Sequence, residues 1–497
     1  MQRKQLTLVI VSLLVVVLSV SLAYFTVQII GKGKDVSVTS TNLQIVFTDT
    51  DGEIAGADIE PGWQKTKTFT VQNNSKSEYK YNIVIKDLLN TFVTEGYLQY
   101  KITSTNGGYN MTEFKDIPKS SIATDTILAY SVVIPNGVTQ SYTIEFKYSN
   151  DESVDQSDDM GKKLSGTLFI TEGTEDPNKT LLTQLLVDKS TKLTRTDFSK
   201  VLTNDNTNTL YTSTEDSKTV YYFAGNATDN WVKFGKNASN QDLYWRIIRT
   251  NSDGGVRLLY HGTSTTATDA YIGTSAFNSS FDNIAYVSYM YGSLGSIANA
   301  RTNQTNPSTI KTTIDNWYIS NLEAKGYTKY LSTTAVYCND RTYTVSDYTY
   351  FGAYTRLRTN ETPSYDCATT EDKFTVDTST GNGKLTYPIA LMTADEVSFA
   401  GGVYLKNAET WYYYNSANGS STGSTLWWLL SPNGWYGSSA SAFIVFGSSL
   451  PGYLSNSGVN DTYGVRPAIS LKSCTLYSTG NGSASDPYTI KETDTGC

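Results

Sequence analysis

Residues 427–471 read WWLLSPNGWYGSSASAFIVFGSSLPGYLSNSGVNDTYGVRPAISL. An aromatic-aliphatic opening (Trp427, Trp428, Leu429, Leu430, Ser431, Pro432) and a close (Gly464, Val465, Arg466, Pro467, Ala468, Ile469) bracket a middle of Ser, Gly, Asn, Tyr and small apolar residues. That middle has too little bulk to form a core by itself. Tyr, Ser, Gly and Asn are the residues that binding loops favour, because Tyr gives contact area at low entropic cost and the small residues adapt their hydrogen bonds. Two readings follow: the loop-rich end of an ordinary domain, or a ligand face on a rigid frame. On the second, the contacts are Trp435, Tyr436, Phe443, Tyr453, Asn456, Asn460 and Tyr463 as large or polar anchors. Ser438, Ser439, Ser448 and Ser449 let a partner approach closely. Alternation turns some apolar positions, Ile444 or Phe446, inward.

Upstream, the local signals are those of a frame. Thr393-Ala394-Asp395-Glu396 is a capping box for a short helix closed by Gly401-Gly402. Asn306-Pro307 is read as the cap and first residue of a longer helix, with Ile310, Ile314, Trp317, Tyr318 and Leu322 on one face and Gly326 at its end. Short strands are expected at 220–223, 231–234, 244–248 and 256–260, with Asp253-Gly254-Gly255 turning between the last two. Trp245, Trp427 and Trp428 sit among aliphatics and are assigned to packing, and Arg466 to a salt bridge of the frame.

The frame resembles a known fold. The WWLLSP opening with the GVRPAISL close, YPIALMTADEVSFAGG (387–402), YYFAGNATDNWVKFG (221–235) and YWRIIR (244–249) are similar to C-type-lectin-like domains related to formylglycine-generating enzyme. More narrowly they resemble the variable proteins of bacterial and phage diversity-generating retroelements, and non-diversified surface domains of the same build. The resemblance covers roughly half the chain and implies a non-catalytic ligand-binding domain. Retroelement mutagenesis acts at template adenines, and a randomised AAC codon encodes every residue except Trp, Lys, Glu, Gln and Met. Residues 436–464 contain none of those five. Diversification and a loop simply poor in long polar residues explain that equally well.

Composition sets the compartment. Charged residues are only 17% and the 37 Tyr outnumber the 17 Phe, a profile suited to strands of extracellular modules. The net charge of −8 offers no basic stripe for nucleic acid. Residues 6–30 are an almost unbroken apolar run after Arg3 and Lys4, which reads as a membrane anchor or a signal peptide ending near Ser21-Leu22-Ala23. The membrane is therefore an expected partner, through residues 6–30, and the rest of the chain is expected outside the cell. Four cysteines fit an oxidising compartment; pairing Cys338 with Cys367 and Cys474 with Cys497 is the simplest of three connectivities.

Residues 35–173 read as a β-sandwich. Alternation runs through Leu43-Ile45-Phe47, Tyr79-Tyr81-Ile83-Ile85, Leu128-Tyr130-Val132-Ile134 and Tyr142-Ile144-Phe146-Tyr148, separated by turns such as Asn106-Gly107-Gly108 and Pro135-Asn136-Gly137. The entry LAYFT (22–26) followed by this module resembles the TasA/camelysin group of exported Gram-positive surface and matrix proteins. The acidic run 151–159 is a solvated loop without EF-hand spacing. The expected order is thus a mainly β chain with minor α: an N-terminal membrane helix or signal peptide (1–34), a sandwich (35–173), a linker (174–208), a C-type-lectin-like α+β domain (209–473) and a tail (474–497).

Catalytic constellations are poor. Gly419-Ser420-Ser421-Thr422-Gly423 satisfies GxSxG formally, but it lies in a Gly/Ser/Thr stretch and no His follows it. His261 is the sole histidine, and residues 368–473 lack the cysteines that formylglycine-generating enzymes use. The EPN, QPD and WND motifs of calcium-dependent sugar binding are missing. No metal, cofactor or enzymatic activity is expected. The reading is a surface receptor or adhesin for a protein or glycan ligand. The rivals are an exported enzyme acting on surface glycans and a TasA-like fibre subunit.

Overall fold

The structure is a computed structural model that describes residues 59–267, 270–344, 348–408, 426–446 and 450–497, with backbone alone at 36–40, 43–49 and 345. The apolar run 6–30 lies outside the described residues, as do residues 419–423. Among the described residues no helix is long and apolar enough to cross a membrane. The protein is mainly β and divides into two compact units between Pro177 and Asn178.

The first unit is a sandwich of antiparallel sheets. One has the order Val36–Ser40, Leu43–Asp49, Gln64–Asn73, Thr139–Tyr148, Leu98–Ser104, Lys115–Asp116; the other is Ser120–Ile134, Tyr79–Asn90, Leu164–Glu172. Strict alternation along Thr139–Tyr148 turns Tyr142, Ile144, Phe146 and Tyr148 inward, where they meet Tyr81, Ile83 and Ile85 of the other sheet. The alternation expected at 128–134 breaks. Tyr81 stands opposite Val132 but Ile83 opposite Ala129, so Tyr130 and Ser131 together oppose Asn82. Ser131 has φ 46°, and its N–H donates to Asn82 Oδ1 at 2.9 Å. This bulge puts Ala129 into the core in place of Tyr130. The acidic run is also less uniform than a solvated loop: Asp159 is buried, accepting from the Val93 N–H at 2.6 Å and the Tyr148 hydroxyl at 2.8 Å.

The second unit packs two large sheets, two short two-stranded ones and short helices around one large core. The first sheet follows the order Thr191–Thr194, Thr209–Glu215, Lys218–Tyr222, Asp242–Thr250, Val256–Gly262, Pro467–Leu471, Ile389–Leu391, with Trp231–Lys236 pairing both Asp242–Thr250 and Tyr488–Thr489. The strands expected from sequence are present. The boundaries differ, however. Residues 178–208 belong to this unit rather than to a linker: Thr180 caps the helix Leu181–Asp188, which buries Leu181 and Leu185 in the core. The tail is equally integral, because Tyr488 is fully buried and its strand pairs with Val232 and Lys233.

Ser308, not Asn306, caps the helix Thr309–Tyr318, its hydroxyl accepting from the Lys311 N–H at 3.2 Å. Asn306–Pro307 is instead a short strand paired with Met290–Tyr291. Ile310, Ile314, Tyr318 and Leu322 are buried as the spacing requires, and Gly326 follows at φ 76°. The capping box forms as expected on Ala394–Phe399, with Thr393 and Glu396 bonded reciprocally.

Glu396 also anchors the core. Its Oε1 takes the Arg249 Nε at 2.9 Å and the Arg257 Nη1 at 2.7 Å, while Arg249 Nη2 reaches Glu215 at 2.8 Å. Burial pushes the Glu396 carboxyl up, but the two guanidiniums outweigh it and hold it down at about 2. Both cysteine pairs are disulfide-bonded, Cys338–Cys367 and Cys474–Cys497, with Cα atoms 5.6 and 5.1 Å apart. Two disulfides fit an oxidising, extracellular environment.

Candidate ligand-binding face

The opening motif is the central strand of the second sheet, Trp427–Trp435. Its residues 427–434 are all buried, because the strand is covered on both faces. Trp428 Nε1 donates to the Ser275 carbonyl at 2.9 Å. The closing motif meets it at once: Trp427 pairs with Gly464, after which Pro467–Leu471 crosses into the first sheet beside Val256–Gly262 and Ile389–Leu391. Arg466 is fully buried there. It donates Nε and Nη2 to the Tyr260 carbonyl at 3.2 and 3.0 Å and lies 4.8 Å from the Trp427 ring centroid. The frame is therefore built by its own signature residues.

Between them the chain makes two antiparallel strands, Ala440–Val445 and Leu454–Gly458. All six residues of the first are buried, so Phe443 is not a surface contact. It packs edge-on against the Tyr404 ring at 5.9 Å and supports the face from beneath. Ile444 is buried as well, while Phe446 is half-buried against Tyr453 at 5.2 Å. Trp435 is half-buried on the core. Tyr436 and Ser439 close the turn through the Tyr436 N–H and the Ser439 carbonyl (3.1 Å), leaving Ser438 exposed at its tip. Ser448 and Ser449 lie outside the described residues. Asn460 is exposed.

Tyr436 and Asn456 come together; Tyr463 does not join them. Ser457, one residue along from Asn456 and on the other side of its strand, contacts the Tyr463 hydroxyl at 3.0 Å, and the Tyr463 ring leans on Trp428 at 5.2 Å.

What completes the face comes from elsewhere in sequence. The strand Thr349–Phe351 pairs with the central strand on the side opposite Ala440–Val445, setting Thr349 against Trp435 and Tyr350 against Gly434. This brings Tyr348, Tyr350 and Tyr354 beside Tyr436. Ring centroids then run from Tyr348 to Tyr436 (5.8 Å), Tyr436 to Tyr350 (6.1 Å), Tyr350 to Tyr354 (4.1 Å, stacked at 11°) and Tyr354 to Tyr404 (5.7 Å). Arg358 ends the row, its guanidinium 5.4 Å from the Tyr404 ring centroid. Beneath the row, Asn433 Oδ1 accepts from the Tyr436 hydroxyl at 2.9 Å, and Asn456 Oδ1 accepts from the Tyr404 hydroxyl at 3.1 Å.

Burial and the neighbouring Tyr436 and Tyr354 phenols push Tyr404 up to about 12, and burial likewise raises Tyr436. Both therefore stay neutral hydroxyls near neutral pH.

The segment carrying these tyrosines is tied down firmly. Arg356 grips Asp395 with two bonds of 2.8 Å, Nε to Oδ1 and Nη2 to Oδ2, and reaches Asp340 Oδ2 at 2.5 Å. The Cys338–Cys367 bridge closes the excursion behind it. Sequence reasoning passed over Tyr348, Tyr350, Tyr354, Arg358, Tyr404 and Asn433. The signal available was three tyrosines within seven residues, 348–354, inside the cysteine-flanked segment.

No family model matches the chain, and no match was found among the curated proteins or the solved structures.

Proposed function

We propose that this protein is an exported binding protein, a receptor or adhesin, whose second unit presents the tyrosine row to a protein or glycan on another surface. The observation that carries the reading is the continuous row of five tyrosines, drawn from three separate segments and left partly open to solvent. Aromatic rings held in place by ion pairs and a disulfide lose little entropy on binding, which is what a hot spot needs. On this reading residues 6–30 hold the molecule at the membrane, and the second unit is a C-type-lectin-like domain of the retroelement-variable kind. Diversification then has to spare the buried Ala440–Val445 strand and fall on the codons of exposed residues such as Ser438 and Asn460 and of half-buried ones such as Tyr436, Ser439 and Asn456.

The test is binding of the full chain to intact bacterial or host cells, with a Tyr350→Ala/Tyr436→Ala double variant alongside. Loss of binding at an unchanged melting temperature supports the face. Undiminished binding by a folded double variant refutes it.

A further inference from the structure

Arg358 stands apart from the other described arginines. Each of the others donates at least one hydrogen bond to the protein, from Arg195 to the Ser398 carbonyl through to Arg466 to the Tyr260 carbonyl. Arg358 donates none and forms no ion pair among the described residues; it is exposed, and its guanidinium lies 5.4 Å from the Tyr404 ring centroid at the end of the tyrosine row. Holding a cation against an aromatic face leaves its forked N–H edge free for a planar anion.

Building on the binding function proposed above, we infer that this face selects a sugar bearing a carboxylate, a uronate or a sialic acid. A pyranose has an apolar C–H face that can lie against the solvent-open sides of the tyrosine rings. A carboxylate on the same ring meets the Arg358 fork in a bidentate pair. A cationic ligand is disfavoured because Arg358 already occupies the aromatic face where it would sit.

The experiment titrates the full-length protein calorimetrically with sialyllactose and with oligogalacturonate, each against its neutral counterpart, lactose and the carboxyl-reduced oligomer. One acidic member is expected to bind more tightly than its neutral counterpart. Arg358→Gln is expected to weaken it by about tenfold or more, the worth of one charge-assisted contact, with the melting temperature unchanged. Equal affinity for acidic and neutral members, or an Arg358→Gln variant that keeps the preference, overturns the inference. If no saccharide binds while attachment to cells still requires Tyr350 and Tyr436, the ligand is a protein. The sugar assignment then falls and the binding face stands. If attachment ignores the tyrosines as well, both fall.

Discussion

Gly434 stands opposite Tyr350 on the neighbouring strand, and its bare Cα lets the Tyr436 ring lie across it. A Cβ there would sit 3.1 Å from both Cζ and Oη of Tyr436. Gly434→Val should therefore displace Tyr436 and split the tyrosine row. The expected outcome is binding weakened several-fold in the folded variant, with stability lowered by about 1–3 kcal/mol because Gly434 itself is buried. A variant that keeps full affinity would show that Tyr436 is not a contact.

Phe443 tests the division between frame and face. Truncation to alanine removes a fully buried ring and should cost about 3–5 kcal/mol of stability. Any loss of binding should follow the folded fraction in a denaturant titration. Binding lost by a fully folded Phe443→Ala protein would mean that the ring sets the face through Tyr404 and is more than frame.

Glu396 gives the fold a pH dependence of definite sign. Its carboxyl is depressed from 4.5 to about 2 in the folded protein. The stabilisation is therefore complete above the unfolded value and is lost as pH falls toward the folded one. Urea midpoints should drop between pH 4.5 and 2, and Glu396→Gln should flatten that part of the profile. The same substitution leaves Arg249 and Arg257 without their shared buried charge, which costs about 3–5 kcal/mol. A profile of unchanged slope in the variant would remove Glu396 from the acid response.

The Cys338–Cys367 bridge should matter to binding as well as to stability. Replacing both by serine opens the loop that carries Tyr348, Tyr350 and Tyr354 and should cost about 2–4 kcal/mol. Arg356 still grips Asp395 and Asp340, so partial binding should survive at low temperature and fail before global unfolding does. Coincident loss of binding and of far-ultraviolet circular dichroism on heating would show that the bridge has no separate effect on the face.

Wherever neighbours in sequence sufficed, the sequence alone determined the outcome. The capping box at Thr393 and Glu396, the inward phase of Tyr142 to Tyr148, and the burial of Trp245, Trp427 and Trp428 each follow from short-range periodicity and local hydrogen bonding. Tertiary structure decided the rest, because it depended on which strands pair. Phe443 looks like an anchor in a polar loop, yet its strand is covered on both sides and the ring is core. Tyr130 loses its place to Ala129 through a bulge that the alternation does not reveal. Tyr350 and Tyr436 lie far apart in the chain, and only the pairing of Tyr350 with Gly434 makes them one surface. Register across a sheet is set by the sum of packing on both its faces, and no single stretch of residues contains that sum.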